Sequence, residues 1–109
     1  MMDKRLLDKE RRSSTRFDVK WNAAIQAKDQ DGNDIYEDGT LENLSSFGAF
    51  VFLQSPLALG EKIRLEIRIP FRRDNWMSYN GEVVRLEQNQ DNTGIAVRFD
   101  TARPQFFER

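Results

Sequence analysis

From Phe17 onward, apolar and polar residues alternate with a period of two. Phe17, Val19, Trp21, Ala23, Ile25 and Ala27 fall on one parity, and Asp18, Lys20, Asn22, Ala24, Gln26 and Lys28 on the other. That pattern predicts a half-buried β-strand with one face in a core and one in water. Asp31-Gly32-Asn33 then reads as a turn, because these residue types tolerate positive φ. A second strand is expected over residues 35–44, with a bulge or break near Asp38 and Gly39. Residues 49–53 are apolar on both parities, which predicts a strand buried on both faces. Pro56 and Gly60 mark the next connection. Ile63, Leu65, Ile67 and Ile69 alternate with Lys62, Arg64, Glu66 and Arg68 until Pro70 closes the strand. Residues 71–78 read as a loop carrying Arg72, Arg73 and Trp76. Two further strands are expected over residues 79–87 and 94–100, with a short helical turn through Phe106 and Phe107 after Pro104.

Six short strands without a helical period predict an all-β chain. A small six-stranded antiparallel β-barrel is favoured over an open sheet, because closure removes exposed edges. The expected organisation is a flexible basic N-terminal arm over residues 1–16, with a helical turn around Leu6 and Leu7, a barrel over 17–103 and a short tail over 104–109.

Composition narrows the function. A chain of 109 residues, 32% charged and 39% hydrophobic, has the balance of one soluble domain with one core. No apolar stretch is long enough to span a bilayer, and the charged first twelve residues lack the apolar region of a signal peptide. There is no cysteine. A cytoplasmic protein without membrane insertion is the expectation. The chain also has no histidine, which excludes Ser–His–Asp triads, Cys–His pairs and His-containing zinc sites. The sequence places no pair of acids together for carboxylate catalysis, so no enzyme and no cofactor or metal are expected.

A net charge of −1 argues against a DNA- or RNA-gripping surface. The charge is uneven, with seven basic and four acidic residues in positions 1–20, and six acids without a base in 29–42. A basic arm facing one small anion fits that distribution better than a long phosphate-tracking groove. Asp29, Asp31 and Asn33 have the spacing of a calcium loop, but Asp34 stands where the loop needs glycine and Thr40 where it needs an acid. Asn43-Leu44-Ser45 is a glycosylation sequon, without consequence in a chain that lacks a secretory signal.

Two polar motifs remain. Arg12-Ser13-Ser14-Thr15-Arg16, preceded by Arg11, is an RxxxR motif. Twelve arginines produce about one such spacing by chance, and Arg64/Arg68 and Arg68/Arg72 repeat it on a strand's solvated side. Asn43-Leu44-Ser45-Ser46-Phe47-Gly48 is rarer. Taken alone it also suits a turn in which Asn and Ser bond their own backbone. Order and spacing add what each motif lacks. RxxxR precedes the first strand and NxSxxG precedes the apolar strand. Gly48-Ala49-Phe50-Val51-Phe52-Leu53, Leu59-Gly60-Glu61-Lys62-Ile63-Arg64-Leu65, Gly81-Glu82-Val83-Val84 and Gly94-Ile95-Ala96-Val97-Arg98-Phe99 follow in turn.

From about Arg11 to Asp100 this series resembles the PilZ domain family. The resemblance implies a six-stranded antiparallel barrel that binds cyclic di-GMP at its mouth and signals to a downstream protein. It assigns Arg12 and Arg16 to phosphate and guanine, which suits a rigid, always-charged fork of donors. It assigns polar contacts to Asn43 and Ser45, and close backbone approach to Gly48. Asn43 departs from the commoner Asp and offers one donor and one acceptor in place of an anionic pair. Arg11 resembles the residue that lets some members take two stacked nucleotides. Trp76, by stacking on a guanine, and Arg98, by reaching outward from its strand, are further candidates. The alternatives are a PilZ-like protein–protein adaptor that binds no nucleotide, and a single-stranded nucleic-acid-binding barrel.

Overall fold

The computed structural model describes residues 17–28, 31–55, 57–71 and 75–108. Its elements are β1 (Phe17–Lys28), β2 (Asp34–Leu44), β3 (Gly48–Leu53), β4 (Lys62–Arg68), β5 (Asn75–Gln88), β6 (Thr93–Phe99) and β7 (Gln105–Glu108). The sheet runs β4-β1-β2-β3-β6-β5, every pairing antiparallel, and β4 also pairs with β5. That last pairing closes the ring, so the first six strands form the expected barrel. No helix among the described residues is long and apolar enough to cross a membrane.

Alternation builds the core. Ile25, Leu41, Val51, Leu65, Ile67, Val83 and Ile95 are fully buried, one or two from each barrel strand. The β1–β2 hairpin turns through Gly32 at a φ of 83°, in the left-handed region that glycine enters without cost.

Several expectations need correction. β2 pairs without a break through Asp38 and Gly39, opposite Ala24 and Ala23. Its irregularity lies between Leu41 and Asn43, against β3, and matches one in β1 between Asp18 and Trp21. β3 is not buried on both faces. Ala49, Val51 and Leu53 are buried, whereas Phe50 and Phe52 are only half-covered on the outside, where their rings meet edge to face at 5.2 Å. An aromatic side chain can lie flat over a sheet's outer surface, so apolar residues on both parities do not require two covered faces. Residues 75–78 belong to β5 rather than a loop, and residues 105–108 form β7 rather than a helical turn. β7 adds to the early part of β5, beside Asn75 to Ser78, whereas β6 pairs with β5 only from Gly81 onward.

β7 explains a further departure. Glu66 alternates outward on β4 yet is 6% exposed, and Ala24, its partner on β1, is fully buried. Tyr36 donates its hydroxyl proton to the Glu66 carboxylate, and Arg64 Nε stands 3.3 Å from Glu66 Oε2. Phe107 packs against Trp76 with centroids 6.3 Å apart and lies under the Arg64 guanidinium at 5.4 Å. A small second cluster thus covers the outside of β4 and β5.

Candidate functional site

The β2 bulge aims the site. Leu41 pairs with Val51, Asn43 with Phe50 and Leu44 with Ala49, so Glu42 is the extra residue. Were β2 regular through Glu42, alternation would send Asn43 inward with Leu41. The bulge instead sets Asn43 on the outer face with Phe50 and turns Leu44 inward with Ala49.

After Leu44 the chain turns tightly around Ser45. Ser45 Oγ accepts the N–H groups of Phe47 and Gly48, both at 3.2 Å, and the Ser45 N–H donates to the Gly48 carbonyl at 2.9 Å. The Phe47 carbonyl accepts from the Phe99 N–H at 2.8 Å, which ties the turn to the end of β6. With the Ser45 hydroxyl also donating to the Gly48 carbonyl at 3.3 Å, four polar contacts of the NxSxxG stretch are spent on holding its own shape. Gly48 has a specific reason to be glycine. A Cβ there would collide with the Val97 carbonyl oxygen of the paired strand. The close approach at Gly48 is first of all that of β6.

β1 completes the site. Phe17 pairs with Leu44 and Asp18 with Asn43, so Arg16, 27 positions before Asn43 in sequence, is bonded to a residue that lies beside the turn. Arg11, Arg12 and Arg16 themselves lie outside the described residues. Phe17, Leu44, Ser45, Ser46, Tyr79 and Ala102 line a recess of about 410 Å³ at this end of the barrel, within the range of small-ligand sites. Tyr79, in its lining, stacks on Phe99 with ring centroids 3.7 Å apart and planes 6° from parallel. Burial raises the Tyr79 phenol above its ordinary value, which keeps it a neutral donor and acceptor.

Arg98 is brought to the site. It stands opposite Gly48 across β3 and β6, on the outer face, with Nη2 3.7 Å from Glu82 Oε1 and its side chain 67% exposed. Trp76 is not. It pairs with Arg68 and Phe107 and packs on Phe107, in the second cluster on β4, β5 and β7. Sequence reasoning missed Asp18, which faces Asn43, and the pair formed by Phe50 and Arg85, whose guanidinium lies 5.6 Å from the Phe50 ring centroid. Phe50 looked like core; only the parity change at Glu42 sets it beside Asn43. No acidic cluster that could hold a metal ion occurs among the described residues.

Residues 10–108 match the sequence profile of the PilZ domain. Among solved structures, the fold resembles the inhibitor of motility MotI (DgrA) of Bacillus subtilis, with a TM-score of 0.60 and 22% identity over 78% of this chain. It also resembles the PilZ domain of YcgR from Escherichia coli, solved with cyclic di-GMP. There the TM-score is 0.57 and the identity 15%, over 83% of this chain and 79% of that one. The chain spans 40% of the MotI chain it matches. Among curated proteins, none matches.

Proposed function

This chain belongs to the PilZ domain family, and we propose that it is a receptor for cyclic di-GMP that carries the signal to a partner protein and catalyses no reaction. One observation carries the reading. β1–β2 pairing sets Phe17 against Leu44 and Asp18 against Asn43. Phe17, which follows RxxxR in the sequence, and Ser45 of NxSxxG line the same recess of about 410 Å³.

The chemistry suits the ligand. Cyclic di-GMP presents two phosphodiesters and two guanines. Arg12 and Arg16 supply charged, planar donor forks for phosphate oxygens and for guanine O6 and N7. Asn43 adds a donor and an acceptor on the outer face, and Arg98 adds a positive charge opposite Gly48. Arg11 supplies the charge and plane that a second, stacked nucleotide would need. Bridging by the ligand would fix residues 1–16 against the barrel and change the surface shown to the partner, a disorder-to-order switch.

The test is a calorimetric titration of the whole chain with cyclic di-GMP, with cyclic di-AMP and GTP as controls. Selective binding at micromolar strength or tighter is expected, and a second equivalent of ligand would give Arg11 its stacking role. Absence of heat, with unchanged amide signals at Ser45, Phe47 and Arg98, would overturn the receptor reading. It would leave an adaptor that works through protein contacts alone.

A further inference from the structure

Register shifts interrupt the described strand pairings between Asp18 and Trp21 on β1, between Leu41 and Asn43 on β2, and between Val83 and Arg85 on β5. All three adjoin one row of residues. Asp18 pairs with Asn43, Asn43 with Phe50, Phe50 with Ala96 and Ala96 with Arg85, so the row crosses β1, β2, β3, β6 and β5. Bulges collect where a strand re-aims a side chain, often beside a binding site.

The β5 bulge does for Arg85 what the β2 bulge does for Asn43. Were β5 regular through Val84, alternation would send Arg85 inward with the buried Val83. The extra residue instead sets Arg85 opposite Ala96, which faces outward between the buried Ile95 and Val97. Ala96 is small, and the Arg85 guanidinium reaches past it to stand over the Phe50 ring, 5.6 Å from the centroid. The ring lies low on the sheet, where a Cβ at Gly94 would collide with Phe50 Cζ. Lys28, Lys62, Arg64 and Arg98 each stand within 4 Å of a carboxylate. Arg85 pairs with no carboxylate among the described residues; its partner is the ring. A flat aromatic surface with a planar cation above it therefore lies beside Asn43, on the outside of the barrel.

Resting on the receptor reading, we propose that one guanine of cyclic di-GMP stacks on Phe50 and that the Arg85 guanidinium closes over the base's other face. A base between ring and guanidinium needs about 7–8 Å, two van der Waals contacts, so Arg85 withdraws by roughly 2 Å on binding. Arg85 is exposed, and a rotamer change covers that distance. The base gains an aromatic face below and a cation above, while Asn43, next in the row, meets its polar edge.

The test compares cyclic di-GMP affinity, by calorimetry on the full chain, for the parent, Arg85→Gln, Phe50→Leu and Lys28→Gln. Arg85→Gln should weaken binding about three- to thirtyfold, with the melting temperature close to that of the parent, and Phe50→Leu about five- to fiftyfold. Lys28→Gln removes the same charge at the far end of β1 and should bind as the parent does. In the parent complex, nuclear Overhauser contacts should join guanine H8 to the Phe50 ring protons and to the Arg85 side chain. Parental affinity in Arg85→Gln, an equal loss in Lys28→Gln, or a bound ligand without contacts to Phe50 overturns the stack while leaving the receptor reading in place. A parent that takes up no cyclic di-GMP overturns both. The contacts are read in the unaltered chain, so a variant that folds poorly does not decide the outcome.

Discussion

Asp18 and Asn43 face each other across β1 and β2, on the outside of the barrel and one residue pair from its rim. An aspartate at position 43 would set two carboxylates opposite one another, an arrangement that costs a sheet a few tenths to about 1 kcal/mol. The amide avoids that repulsion. Asn43→Asp should lower stability by roughly this amount in urea titrations. Added salt should reverse the loss, and so should Asp18→Asn. A loss unaffected by either would mean the two side chains do not interact.

Gly48 is where β3 and β6 come closest. Gly48→Ala would push a Cβ onto the Val97 carbonyl, and rigid backbone on both sides leaves little room for relief. A loss of about 1–3 kcal/mol is expected, read as a lower urea midpoint at unchanged slope. The Ser45 turn would move with it, so cyclic di-GMP affinity should fall as well.

Arg12→Ala should weaken cyclic di-GMP binding by about ten- to 150-fold, equivalent to about 1.5–3 kcal/mol for a lost charge-assisted contact. Its melting temperature should stay that of the parent. Calorimetry on the variant decides this, and parental affinity would remove Arg12 from the site.

Phe107→Ala should strip Trp76 and Arg64 of a shared aromatic partner, at a cost of about 1–2 kcal/mol. Hydrogen exchange should quicken at residues 75–78, which pair with β7. Affinity for cyclic di-GMP should hold. If it falls with the packing, the second cluster is coupled to the site after all.

Tyr79 gives a pH dependence of definite sign. Burial raises its phenol above 10.0, so the folded state holds the proton more tightly than the unfolded chain does. That stability is fully present below pH 10.0, the unfolded value, and is lost as pH rises through the higher folded one. Ultraviolet titration should show Tyr79 ionising late, and denaturation midpoints should decline over the same interval. Tyr79→Phe should remove that decline.

Most of the barrel was legible because one face of each strand is apolar. β1 follows its alternation from Phe17 to Lys28, and β4 follows its own. The misreadings occur where residues outside a strand's own pattern decide the outcome. Glu66 is polar and outward by parity, yet Tyr36 and Arg64 approach it from neighbouring positions in the sheet. Gln105 to Glu108 is too short to show a period, and only the unpaired edge of β5 recruits it as a strand. At the site, residue types identified Asn43, Ser45 and Gly48. Their geometry was hidden, because a bulge has no residue signature comparable to a glycine turn. The same bulge hid Phe50.

Glu42 gives the site an unusual sensitivity to length. Its side chain could be exchanged for many others, since what matters is that one more residue is present on β2 than β3 requires. Deleting Glu42 would pair β2 regularly with β3 and keep the amide outward, but it would leave Val19 and Lys20 of β1 without residues opposite them, between the pairs Asp18–Asn43 and Trp21–Leu41. Substitutions along this stretch would erode recognition by degrees, whereas one lost codon would unsettle the pairing of β1 with β2 at the site while leaving every motif residue in the sequence.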